Sequence, residues 1–164
     1  MHSMYSAPVS LSAVSYFILQ TKETHFHTLP ISAGLTLGMA KLKHHKVLLV
    51  DDSELIGAKV LDLLSTISAV ELLGQAKSVK EGLRACEEEK PDIVFLDINL
   101  PDGSGIGLLK ELKKRQPHIR VIMLTNSADS FYRHKCAELK AEHFLDKTKD
   151  FDRIPQLVID CLAL

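Results

Sequence analysis

The chain has no tryptophan and few other aromatic residues, so indole fluorescence cannot report on any change in it. Its three cysteines, Cys86, Cys136 and Cys161, are far apart and form no CxxC pair. That excludes a disulfide framework and a thiolate metal clip. Their apolar neighbours and helical spacing mark them as core or half-buried thiols of a reducing compartment. No apolar run approaches the roughly 20 residues a membrane helix needs. The short apolar patch from Ala13 to Leu19 has no positive region before it and no small-residue cleavage site after it, so it does not read as a signal peptide. No GxxxxGK[ST] loop exists and no GxGxxG follows the first apolar run, which removes a P-loop ATPase and a dinucleotide site. A net charge of −1 leaves no field to recruit nucleic acid or an anionic membrane. The like-charge groups that exist, Glu87-Glu88-Glu89 and Lys113-Lys114-Arg115, fall in expected helices and read as solvated faces. The balance of absences describes a cytoplasmic globular protein.

What is present divides in two. Residues 1–45 are rich in Ser, Thr and His, carry one acidic residue (Glu23) and follow no apolar period. They are expected to form a poorly ordered extension, or an extraneous one if the natural start is Met39. His25, His27, His44 and His45 lack a carboxylate or cysteine at ligand spacing, so no metal site is read there. From residue 46 to 164 apolar runs alternate with helical stripes. KVLLV (Lys46 to Val50) is a buried strand. Ile56, Val60, Leu63, Leu64 and Ile67 share one helix stripe. Val70 to Ala76 is a second strand. Ser78-Val79-Lys80-Glu81 is a capping box that opens a helix stopped by Pro91. Asp92 to Leu96, Ile119 to Leu124 and His143 to Leu145 complete five strands, each followed by a helix. Strand and helix units in series predict an α/β domain with a doubly wound five-stranded parallel sheet, a flavodoxin-like three-layer sandwich.

The polar residues then fall into place. The first strand ends on Asp51-Asp52, the third on Asp97, the fourth on Thr125 and the fifth near Lys147. Parallel strands bring all of these to one edge of the sheet, the edge where ligands bind in open α/β folds. Three carboxylates there repel one another by about 4 kcal/mol per pair at about 4 Å and an effective dielectric near 20. Lys147 can cancel one charge. A hard divalent cation with oxygen ligands cancels two, and Mg²⁺ fits best because it takes few carboxylates and accepts phosphate oxygens. A carboxylate nucleophile beside a cation, a lysine and a hydroxyl is the equipment for phosphoryl transfer to Asp97. Each residue alone has a duller reading: Asp97 as a turn former or cap, the acidic pair as loop residues, Thr125 as a helix cap, Lys147 as a surface lysine. Their shared edge argues for the site.

Val50-Asp51-Asp52-Ser53, Leu96-Asp97-Ile98-Asn99-Leu100-Pro101-Asp102-Gly103, Leu124-Thr125-Asn126 and Phe144-Leu145-Asp146-Lys147 resemble the receiver domain of two-component response regulators. The spacing of Asp52, Asp97, Thr125 and Lys147 agrees with that family. The resemblance implies that Asp97 is the phosphoacceptor, and that Asp51, Asp52, Asp97 and the backbone carbonyl of Asn99 hold Mg²⁺. It implies that Thr125 is the switch hydroxyl, Lys147 the phosphate-pairing lysine and Phe144 the switch aromatic. It implies a sensor histidine kinase or histidine phosphotransfer protein as donor. Asn99 and Ser127 occupy positions that tune phosphate lifetime in the family. One departure is Thr148, where many members have proline after the lysine; it is expected to cap the last helix, with a trans peptide before it. With Leu164 directly after the last helical stripe, the chain reads as a stand-alone receiver. It would signal by contact with a downstream protein through its fourth helix, fifth strand and fifth helix, without nucleic acid or membrane, and would catalyse only its own phosphorylation and dephosphorylation. The alternatives are a pseudo-receiver adaptor, which the full residue set argues against, and an aspartyl-intermediate phosphatase, which favours a second Asp where Asn99 stands.

Overall fold

The computed structural model of the protein describes residues 44–163, so the expected extension lies outside the described residues except for its last two. Of these, His45 belongs to the first strand, one residue earlier than the sequence reading puts its start. Strand β1 (His45–Val50) leads to helix α1 (Glu54–Ser65), β2 (Val70–Ala76) and α2 (Val79–Glu89). The chain continues through β3 (Ile93–Leu96), α3 (Gly105–Arg115), β4 (Arg120–Thr125), α4 (Ser130–Glu138), β5 (His143–Asp146) and α5 (Ile154–Leu162). All five strands pair in parallel in the order β2-β1-β3-β4-β5. The chain leaves β1 toward β2 on one side and returns past it to β3 on the other. The topological switch point, and with it the natural crevice, lies at the carboxyl ends of β1 and β3.

Strand alternation explains the three layers. Val47, Leu49, Ile93, Phe95, Ile122 and Leu124 face Val60 and Leu64 of α1 and Ile154 and Val158 of α5. Leu48, Val50, Val94, Leu96, Val121 and Met123 face Cys86 of α2, Leu108, Leu109 and Leu112 of α3, and Cys136 of α4. Burial on both faces is why β1, β3 and β4 read as continuous apolar runs. The three cysteines are buried free thiols, in line with the sequence reading. Burial pushes the Cys86 thiol up to about 12 and raises those of Cys136 and Cys161 as well. An alkylating reagent at neutral pH is therefore expected to leave all three unmodified in the native protein and to react after denaturation. Rapid native labelling, read by mass, would contradict this packing.

Helix caps follow the sequence in part. Ser53 accepts from the Ile56 N–H, Ser78 from Glu81 and Ser104 from Ile106. In the expected capping box Glu81 bends back one residue further, and its carboxylate accepts the Lys77 N–H at 2.7 Å. Thr148 does not cap the last helix. It donates from Oγ1 and from its backbone N–H to Asp146 Oδ1, at 2.6 and 2.8 Å, closing a turn ahead of a 3₁₀ segment, Phe151–Arg153, that leads into α5. A short polar side chain bonds whichever neighbour its turn brings nearest, and here that is the carboxylate two residues back. No cis peptide occurs among the described residues.

Candidate functional site

Asp51 and Asp97 end β1 and β3, on the two strands that flank the switch point. Asp51 is fully buried, with no exposed surface, and Asp97 is 6% exposed. Asp52, one residue on, points out and is exposed. Side-chain oxygens of Asp51, Asp52 and Asp97 lie within 4.8 Å of one another. Lys147, 7% exposed, reaches in from the end of β5, where its backbone N–H donates to the Thr125 carbonyl. Its ammonium lies 2.6 Å from Asp51 Oδ2 and donates to Asp97 Oδ2 at 2.8 Å. One buried cation thus faces two buried anions, and Asp52 adds a third carboxylate at the rim.

The remaining donors are few. Asp51 Oδ1 accepts from the Ser53 N–H at 3.0 Å and Asp97 Oδ1 from its neighbour Ile98 at 2.7 Å. Asp51 Oδ2 meets Lys147 at ion-pair distance but off the line of a hydrogen bond, so this buried oxygen has no aligned donor. Burial is the largest influence on Asp51 and raises its pKa above the ordinary carboxylate value. Lys147 and the Ser53 N–H oppose that rise, and the nearby Asp97 charge adds to it. A buried oxygen without an aligned donor, with two more carboxylates within reach, is a donor set compatible with a hard divalent cation.

Two connections hold the Asp97 loop. Residues Asn99–Leu100 and Gly103–Ser104 form a short antiparallel ladder where the sequence suggests only a turn. Gly105 comes so close to the strand end that a Cβ on it would lie 1.8 Å from the Asp97 carbonyl oxygen, so only glycine fits. Asp102 reaches across to α2, accepting from the Val79 N–H at 2.7 Å and the Lys80 N–H at 3.0 Å. Those bonds satisfy two orphan donors of the helix and hold the Asp102 carboxyl below its usual range. The loop sequence flags Asp102 as a turn residue; its partner, 23 positions away in sequence, is invisible there.

The receiver domain of response regulators matches residues 47–159. The chain belongs to this family. Among solved structures, the BeF₃-activated receiver domain of DrrB superposes on the receiver with a TM-score of 0.67 at 26% identity, covering 74% of this chain and 99% of that one. A CheY-like receiver domain protein from Methanospirillum hungatei gives 0.68 at 25% identity, covering 73% and 94%. Among curated proteins, the DNA-binding transcriptional activator DevR/DosR of Mycobacterium tuberculosis is 40% identical over 81 residues, 49% of this chain and 37% of that protein. The response regulator VraR of Staphylococcus saprophyticus is 29% identical over 113 residues, 69% of this chain and 54% of that protein. The chain thus spans about half, or less, of the curated relatives it matches.

Within the receiver domain, Thr125 ends β4, fully buried, and its Oγ1 accepts from the Ser127 N–H at 3.2 Å. Asn99 Nδ2 donates to Ser127 Oγ at 2.9 Å, tying the β3 and β4 loops together across the mouth of the site. Phe144 in β5 is half-buried. The Arg133 guanidinium stacks 4.7 Å from its ring centre and donates to its carbonyl at 3.0 Å. Asp51, Asp52, Asp97 and Lys147 are therefore one cluster, with Thr125 at the same sheet edge. No described helix is long and apolar enough to cross a membrane.

Proposed function

We propose that this receiver domain is a phosphoacceptor switch. Asp97 accepts a phosphoryl group from a sensor histidine kinase or a histidine phosphotransfer protein, and the domain passes its state to a downstream protein. The observation that carries this reading is the buried Lys147 shared by Asp51 and Asp97, with Asp52 close enough to complete a cation site.

Asp51, Asp52 and Asp97 would hold Mg²⁺ together with the backbone carbonyl of Asn99. When bound, the ion neutralises charge on the transferring phosphoryl oxygens. An Asp97 carboxylate oxygen attacks phosphorus. The bond from phosphorus to the donor breaks, and its electron pair leaves with the donor. The product is an aspartyl phosphate that carries nearly two negative charges. The Lys147 ammonium, already on Asp97 Oδ2, remains beside the new group and balances part of that charge. The Thr125 hydroxyl accepts from Ser127 and still has its own proton to give to a phosphoryl oxygen. Its movement would draw Phe144 inward, out of the stack with Arg133, and so alter the surface of α4, β5 and α5. The domain would turn over only its own phosphate, as a cytoplasmic phosphoprotein.

The test uses the whole chain with a small acyl phosphate. One phosphoryl group per chain, read by mass, is expected with Mg²⁺ and none with a chelator. Asp52→Ala is expected to weaken Mg²⁺ binding by about tenfold or more while the fold survives, because Asp52 is exposed and packs no core. Mg²⁺-independent labelling, or unchanged affinity in that variant, would remove the metal from the reading.

A further inference from the structure

Strand β2 carries an irregularity that acts on the acidic loop from outside the carboxylate cluster. Strict alternation along Val70–Ala76 would place Gln75 on the same face as Leu73, under α2. The pairing with β1 slips instead: Val47 lies opposite Leu72, but Leu48 lies opposite Gly74. Leu73 is the extra residue of a β-bulge, and Gly74 takes φ +110°, a value that side chains disfavour. The slip reverses the faces beyond it. Leu73 and Ala76, three residues apart, both pack on the α2 and α3 side, so Gln75 turns toward α1.

There its amide grips the backbone on both sides of Asp52. Nε2 donates to the Asp51 carbonyl at 2.7 Å and to the Ser53 carbonyl at 3.0 Å, using both of its protons. Oε1 lies over α1 at Gly57, where a Cβ would stand 2.0 Å away. Ser53 in turn supports Asp51 through its N–H and starts α1 with its carbonyl, which accepts from Gly57 at 3.0 Å. The exposed Asp52 side chain projects from the backbone that this amide fixes.

We propose that Gln75 is a positioning residue for the acidic pair: the bulge at Leu73–Gly74 aims its amide at the Asp51–Ser53 backbone and holds both carboxylates in the arrangement that takes a divalent cation. This rests on the metal reading above. Gln75→Met keeps the length of the side chain and removes both donors. Gly57→Ala leaves Gln75 in place and pushes its amide aside. Mg²⁺ affinity by calorimetry is expected to fall roughly three- to tenfold in each. Amide hydrogen exchange at Ser53, whose N–H bonds Asp51 Oδ1, is expected to quicken in the metal-free variants. The double variant should bind no more weakly than the worse single one, because both changes break the same contact.

A merely structural role would lower the melting temperature and leave Mg²⁺ affinity of the folded protein and loop exchange as in wild type; that result overturns the proposal, as do additive losses in the double variant. Should Gln75→Met fail to fold, Gly57→Ala carries the same test. Absence of Mg²⁺ binding by wild-type protein would sink the metal reading itself, a different outcome from wild-type binding with unaltered variants.

Discussion

Asp97→Ala is expected to take up no phosphoryl group from an acyl phosphate under conditions that label every wild-type chain. The reason is positional. Asp51 is wholly buried, one of its oxygens is held by Ser53 and the other lies against Lys147. Asp52 sits at the rim without a buried ammonium of its own. Asp97 combines slight exposure with a lysine on one oxygen and a backbone N–H on the other. That arrangement orients a carboxylate and stabilises the charge that reaches it. The variant should remain folded, because Lys147 then faces a single partner, Asp51, at 2.6 Å, and the buried charges balance. Mass or gel mobility is the readout, since the chain has no indole to quench. Equal labelling of the variant would move the nucleophile elsewhere.

Lys147→Met is expected to cost about 3–5 kcal/mol of stability at neutral pH in metal-free protein, the range for stranding a buried charge. It leaves Asp51 and Asp97 buried together with no ammonium between them. The loss should depend on pH with a definite sign. Burial already raises the Asp51 pKa in the folded protein, and Lys147 opposes that rise. Between the ordinary carboxylate value and the raised one, the folded state therefore keeps a proton that the unfolded chain has released. The stability linked to that proton is fully present below the ordinary carboxylate value and is lost as pH rises through the raised one. Without Lys147 the raised value moves further up, so the variant should recover stability on mild acidification over a wider window than wild type. Mg²⁺ should also restore part of it. Denaturant melts across pH, with and without Mg²⁺, measure this. A variant as stable as wild type near pH 7 would mean that the lysine does not balance the pair.

Much of the site was legible because strand ends are legible. The runs before Asp51, Asp97 and Thr125 are apolar on both faces, and each stops at its polar residue. The parallel order then follows from the helical stripes between the runs. The connections that steady the site were not legible. Asp102 caps a helix from another loop, Gly105 is required by a carbonyl rather than by a turn, and Thr148 bonds backward instead of capping α5. The partners of Asp102 and Gly105 are set by tertiary packing, and Thr148 takes the carboxylate two residues back over the helix ahead, so hydrophobic periodicity could announce none of the three. Gln75 is the sharpest case. Periodicity assigns it to the wrong face, because one inserted residue reverses every side chain beyond it.

The sequence by itself determined which residues stand at the rim of the sheet, since burial dictates where each apolar run must end and parallel winding turns those ends the same way. Only the tertiary structure decided how close they come: that Lys147 lies between two buried carboxylates, that one Asp51 oxygen is left short of donors, and that a glutamine from the edge strand clasps the acidic loop. Distances of that kind depend on registers and bulges set by packing across the whole sheet, and hydrophobic periodicity has no means of encoding them.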